Sequence, residues 1–172
     1  MASRDEKITS LEKEVDKLKE QQDEAEQYSR RNCLIVHGLK EREGENTNEM
    51  VQHVCEEKLN IKVQNGDLDR THRLGAKKEK SRGIIIRFTS YDVRNRVYQA
   101  RKLLRDAQGD PIYIQESLTR TRSDLFWEIK SKYKNKCKSI WTQDGRIRVL
   151  TNEGHRLTLT KESHIAKLQS TD

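Results

Sequence analysis

Ser81–Phe88 reads SRGIIIRF, and the meaning of its three adjacent isoleucines decides the fold. β-Branched side chains have stiff χ1 angles and pack well on a pleated surface, so Gly83–Phe88 is expected to be a strong strand. Successive side chains on a strand point to opposite faces. Three apolar residues in a row therefore put apolar surface on both faces. Such a strand is either buried on both sides in an ordinary α/β domain, or packs one face on helices and keeps the other for a ligand. The flanking segments choose between these.

Upstream, CLIVHGL (Cys33–Leu39) is a short apolar run closed by Gly38, a second strand. Thr47–Leu59 places Val51, Val54, Cys55 and Leu59 on one helical face, with Thr47 or Asn48 as N-cap. DLDRTHRL reads as a weaker strand, followed by the basic loop AKKEKSR. Downstream, Val93, Val97, Ala100 and Leu104 recur at helical spacing across Tyr91–Arg105. PIYIQE, opened by the chain's one proline, is a further strand. Residues 29–116 thus run β-α-β-β-α-β, the ferredoxin-like order used by RNA-recognition motifs. In that fold the first and third strands lie side by side. Leu34, Val36, Ile84, Ile86 and Phe88 would face the helices, leaving Ile35, Ile85 and Arg87 on the opposite face. Isoleucines then occupy the two positions where such motifs stack bases on aromatic rings, so phosphate contacts must carry the affinity. Arg87 could meet phosphate or a base, or be a solvated sheet charge.

The two ends read differently. Within residues 1–28, Ile8, Leu11, Val15 and Leu18 form an a/d heptad seam, with Lys7/Glu12 and Glu14/Lys19 complementary at g and e positions. A narrow apolar stripe on an acidic helix points to self-association, as the end of a longer coiled coil. Residues 117–172 read α-β-β-β: a helix capped by Ser117 or Thr119 and running to about Lys136, then a hairpin turning at Asp144-Gly145, then HRLTLT. The expected core face of that helix is Leu125, Phe126, Ile129 and Tyr133, and the small unit is expected to lean on the preceding domain. The fold class is α+β, with a coiled-coil helix, an RRM-like domain and a small C-terminal domain.

Charge separates these spans. Of 172 residues, 37% are charged and 32% apolar, too polar for one compact core throughout. Residues 1–28 carry 5 Lys/Arg against 9 Asp/Glu, residues 29–116 carry 18 against 13, and residues 117–172 carry 12 against 6. A basic body behind an acidic leader suits a polyanion partner. Three basic groups are candidate binding residues. Arg30 and Arg31 stand at the junction of helix and sheet; Lys77, Lys78, Lys80 and Arg82 fill the loop before the isoleucine strand. Arg120, Trp127, Lys134 and Lys138 are expected on one helical side, a basic stripe with one exposed indole for stacking. Six to ten such contacts would cost about 10³–10⁵ in affinity from low to moderate salt.

Catalysis finds little support. Neither a P-loop, a GxGxxG nor a Ser-His-Asp spacing occurs, and His72 among its arginines fits a structural or nucleic-acid contact better than an acid–base role. Cys33, Cys55 and Cys137 are odd in number and widely spaced, which argues for a reducing compartment and against a disulfide framework. Cys33-x3-His37 and His53-x-Cys55 lack a second pair at zinc spacing, so no metal or cofactor is expected. No run of about 20 apolar residues could cross a membrane, and the N-terminus has no signal-peptide core.

The heptad leader, RRNCLIVHGLKE, DRTHRLG and RGIIIRF together resemble the first-open-reading-frame protein of LINE-type retrotransposons. The most specific part is R-x-H-R-x-G followed, after a basic loop, by IIIRF. The resemblance implies a coiled coil, a non-standard RNA-recognition motif and a C-terminal domain that coat single-stranded RNA, bind DNA as well, and act as a nucleic-acid chaperone. It points to Arg30, Arg31 and the loop lysines as binding positions, and to a cytoplasmic ribonucleoprotein with a nuclear phase also open. It implies trimers, whereas β-branched residues at a with Leu at d favour two strands; both remain open. The third span differs from the mammalian members, so its binding residues rest on helical geometry alone. The competing reading is a protein-interaction module that docks a partner on the Ile35/Ile85 face.

Overall fold

In the computed structural model the chain is mixed α+β, a long N-terminal helix followed by two antiparallel sheets. Residues 3–106 and 108–169 are described; the outermost ends of the spans 1–28 and 117–172 lie outside them. The chain divides into two compact units, not three. One is Arg31–Ser117, and the other joins the residues up to Arg30 with those from Leu118 onward.

Helix α1 (Arg4–Ser29) starts with a capping box. The Ser3 hydroxyl accepts from the Glu6 amide and the Glu6 carboxylate accepts from the Ser3 amide. Ile8, Leu11, Val15 and Leu18 are exposed along it.

In Arg31–Ser117, β1 (Cys33–His37), α2 (Thr47–Leu59), β2 (Leu68–Arg73), β3 (Ile84–Phe88), α3 (Tyr91–Ala100) and β4 (Tyr113–Glu116) follow in order. The sheet order is β2-β3-β1-β4, antiparallel throughout. One face buries Leu34, Val36, Ile84, Ile86, Phe88 and Ile114 against Val51, Cys55 and Leu59 of α2 and Val93, Val97 and Tyr98 of α3. Asn46, not Thr47 or Asn48, caps α2, because the Thr47 hydroxyl is turned to Thr71 of β2. The expected helix to Arg105 stops at Ala100 and tightens into a 3-10 turn over Arg101–Arg105, which buries Leu104 and leaves Leu103 exposed. Under the sheet, Arg94 of α3 meets Glu116 of β4 at 2.6 Å with both side chains almost wholly buried. Gly38 has φ +91°, and a Cβ there would lie 2.1 Å from the Pro111 carbonyl oxygen, so no side chain fits.

In the other unit, α4 (Arg120–Lys132) is capped by Thr119 and continues as a 3-10 turn at Lys134–Lys136. Strands β5 (Cys137–Gln143), β6 (Arg146–Thr151) and β7 (Arg156–Leu159) form an antiparallel meander, and α5 (Ala166–Gln169) closes it. Asp144 and Gly145 both have positive φ, as the two-residue hairpin turn requires. Leu125 and Ile129 pack on Ile147, Val149 and Leu159, with Phe126 and Tyr133 at the margin.

This small core has its partner in the end of α1. Arg122, buried on α4, donates from Nε to Asp23 at 2.7 Å, from Nη2 to Glu24 at 2.5 Å and from Nη1 to the Gly145 carbonyl at 2.9 Å. Gln27 accepts from the Thr119 amide at 2.9 Å, and the Thr119 hydroxyl donates to Asp23 at 2.5 Å. The acidic end of α1 therefore sits at the N-terminus of α4, where the helix dipole favours negative charge.

Candidate nucleic-acid interface

The face of the four-stranded sheet away from α2 and α3 is laid out by strand register. One row runs His72, Ile85, Ile35, Gln115. A second holds Arg70, Arg87 and Cys33, and a third holds His37 opposite Tyr113. Ile35 and Ile85 are half-buried, whereas Arg70, His72, Arg87 and Tyr113 are exposed. Arg87 faces Asp69 at 3.4 Å with both side chains more than half exposed. Such a pair is worth about 0–1 kcal/mol, so Arg87 can exchange it for a phosphate at little cost.

Sequence reasoning missed an aromatic pair on this face. The His37 and Tyr113 rings stack with centroids 4.6 Å apart and planes 14° from parallel. Burial lowers the His37 pKa, and its Nε2 is enclosed without a hydrogen-bond partner, so the ring is neutral and acts as a flat apolar surface. Gly83 makes this possible. A Cβ there would come within 2.8 Å of His37 Cε1, so the glycine that opens the isoleucine strand is the space into which the imidazole folds. The signal was available: Ile112 and Ile114 alternate inward in PIYIQE, and alternation sends Tyr113 to the other face.

The R-x-H-R-x-G segment divides its arginines between two tasks. Arg70 is exposed, but the Arg73 side chain is buried and binds Glu45 through Nε at 2.6 Å and Nη2 at 3.0 Å. Its Nη1 also donates to the carbonyls of Leu39 at 2.9 Å and Arg82 at 2.5 Å. This guanidinium ties the loop after β1 to the loop before β3. Hydrogen bonding from Arg73 holds the Glu45 carboxyl down at about 2, outweighing the burial that raises it. The folded state thus depresses Glu45 below its ordinary 4.5. The pair stabilises fully above that value, loses its contribution as pH falls, and has none below about 2. Urea midpoints measured from neutral pH down to acid should therefore drop more steeply for the native protein than for Glu45→Gln, which cannot take up that proton. Equal slopes would remove the tie.

Arg82 is likewise occupied. It donates to Glu41 from Nη2 at 2.5 Å and from Nε at 3.2 Å, and to the Gly75 carbonyl, closing the base of the basic loop. That hydrogen bond holds Glu41 below its ordinary range. Of the loop cations read from sequence, Lys77, Lys78 and Lys80 are exposed, and Arg82 is a structural tie that positions them. At the helix–sheet junction Arg31 is exposed, while Arg30, the C-cap of α1, pairs back to Glu26 at 2.7 Å.

In the C-terminal unit the expected stripe is corrected. Because α4 ends at Lys132, Lys134 rides on the 3-10 turn and Lys138 on β5. Even so, Trp127, Lys134 and Lys138 line one groove, while Arg120 lies apart and almost fully exposed beside Asp124 at 3.8 Å. Burial pushes the Cys55 thiol up to about 12 and raises Cys137 as well, so neither is a ready thiolate for catalysis or metal binding. Among the described residues, no three His, Cys, Asp or Glu side chains converge as metal ligands, and no helix is long and apolar enough to cross a membrane. No protein-family model and no curated protein matches this chain.

Proposed function

We propose that this chain is a sequence-tolerant binder of single-stranded RNA, and of DNA as well, gathered into oligomers by α1 and acting in a LINE-type retrotransposon ribonucleoprotein in the cytoplasm. The element order and the strand order β2-β3-β1-β4 support an RRM-like domain. The observation that carries the reading is the second sheet face, where exposed Arg70 and Arg87 share a surface with the ring of Tyr113 braced on His37. Cations give grip on phosphates, and an exposed ring offers a sequence-tolerant platform for a base. The lysines 77, 78 and 80 extend that positive surface. Weak, exchangeable contacts on each body let strands rearrange while still held, which is a physical basis for chaperone activity. The role is binding, without catalysis.

The deciding experiment is single-strand binding by a variant with Arg31, Lys77, Lys78, Lys80 and Arg87 changed to Gln. A large loss is expected, and undiminished binding would refute the reading. Docking of a partner protein on Ile35/Ile85 has less support. Those two half-buried residues are flanked in their row by His72 and Gln115, too small and polar a patch for an apolar dock.

The exposed a/d seam of α1 supports assembly through a second or third copy. Polar substitution of Ile8, Leu11, Val15 and Leu18 should reduce the native mass to that of the monomer. It should also weaken binding to long strands more than tenfold, while leaving strands of about one site (~4–16 nucleotides) nearly unaffected. Equal losses on both lengths would exclude avidity. Substitution is the right tool here, because deleting residues 1–28 would also remove Asp23, Glu24 and Gln27, which anchor the C-terminal unit.

A further inference from the structure

We propose that the groove between the end of α4 and the start of β5 is a slot for one unpaired nucleobase, with the phosphates on either side of it held by lysines. This rests on the single-strand reading above and names what the C-terminal unit recognises. The groove has a volume of about 450 Å³ and is lined by Trp127, Lys130, Lys134, Cys137, Lys138 and Ile140, with the hydroxyls of Ser131 and Ser139 between them. That volume is within the ~300–1,000 Å³ of ordinary small-ligand sites.

The local structure builds it. Trp127, Lys130 and Lys134 are spaced by three and four residues, so they share one side of α4 and its 3-10 continuation. The register of β5 against β6 slips between Cys137 and Ser139, leaving Lys138 as an extra residue in a bulge, a device that re-aims a side chain. The Trp127 indole is 59% exposed, yet it is not loose. Phe126, at the margin of the core, braces it edge-on at 5.7 Å and 74°. The Lys130 ammonium lies 5.3 Å from the indole centroid.

The lining carries three lysines and no carboxylate. The carboxylate next along α4, Glu128, is engaged by Lys132 at 2.8 Å. An anion is therefore favoured. The indole narrows the class, because a flat platform beside cations suits a π-face attached to phosphate, whereas an acidic peptide would use the lysines and leave the ring without purpose. A base within a duplex keeps its faces covered by its neighbours, so only an unstacked base can lie on Trp127. The Ser139 hydroxyl can donate to or accept from the polar edge of any base, and the Ser131 oxygen, whose proton goes to the Glu128 carbonyl at 3.1 Å, can accept, which keeps the slot tolerant of sequence.

The test compares, on the full chain, a single-stranded oligonucleotide with an equally long sugar-phosphate strand that lacks bases. Charge is the same in both, so the difference reports base contacts. Trp127→Ala should weaken binding of the base-bearing strand about 5- to 150-fold, leave the abasic strand within about twofold, and keep the salt slope; Trp127→Phe should retain most of the affinity. In a Trp141→Phe background, where Trp127 is the remaining indole, the base-bearing strand should quench fluorescence and the abasic strand should not. Circular dichroism checks that the variants are folded. Equal losses on both strands, or none on either, would overturn the slot and leave phosphate binding standing. Failure of both strands to bind at low salt would overturn both readings. Polyglutamate that quenches Trp127 and displaces the base-bearing strand would assign the groove to acidic peptides instead.

Discussion

Affinity for a long single strand is expected to fall roughly 300- to 15,000-fold when salt rises from about 50 to about 200 mM. The exposed cations on the sheet face and its loop are Arg70, Lys77, Lys78, Lys80 and Arg87, with Arg31 exposed in the turn before β1, and the groove adds Lys130, Lys134 and Lys138. If about six to ten phosphates are met, each contributes a slope of about 0.7 on a single strand, shallower than on duplex DNA, and this sets the range. Arg82 is outside this set, because it is already bound to Glu41 and the Gly75 carbonyl. A Kd series across salt, with the native mass followed alongside, measures the slope directly. A nearly flat dependence would mean that apolar contact, not charge, holds the partner, and the proposed function would fall. Neutralising one exposed lysine should lower the slope by somewhat under one, whereas Arg82→Gln should act through loop order and loss of stability.

Arg122→Ala should destabilise the C-terminal unit by about 3–5 kcal/mol, the cost of breaking a buried ion pair by removing one partner. The Arg122 side chain is 2% exposed, between Asp23 at 16% and Glu24 at 59%. Its removal takes the guanidinium from Asp23, which keeps the Thr119 hydroxyl, and from the Gly145 carbonyl, and so loosens α1 from α4. Arg120, two residues earlier, is the contrast. Its pair with Asp124 is almost fully exposed, and Arg120→Ala should cost about 0–1 kcal/mol. Both tryptophans, Trp127 and Trp141, lie in this unit, so denaturant unfolding followed by indole fluorescence reports on it selectively. A loss for Arg122→Ala no larger than for Arg120→Ala would show that the clamp does not hold in solution. Gly145→Ala tests the same junction from the other side, since a Cβ there would meet the Gln27 side chain at 2.5 Å and the backbone has φ +70°.

Local patterns were legible because helix and strand periods are properties of a few neighbouring residues. The isoleucine strand, the CLIVH strand, the apolar faces of α2 and α4, the Asp144-Gly145 turn and the exposed seam of α1 all follow from spacing within a dozen residues. Boundaries were less legible. The ends of α3 and α4 tighten into 3-10 turns, and spacing does not distinguish that from continued helix.

What sequence by itself determined about this protein is therefore its elements, their apolar faces and the sign of its charge. Tertiary structure decided which charges are free. Arg73, Arg82, Arg94 and Arg122 read like any other arginine along the chain, yet each is consumed by a carboxylate on a different element. It also brought His37 against Tyr113, 76 residues later in the chain, over the gap left by Gly83, and drew Trp127, Lys134 and Lys138 into one groove. The physical reason is that a guanidinium in water and one under a sheet have the same sequence. Only strand order and helix docking choose its partner, and those depend on the packing of the whole unit.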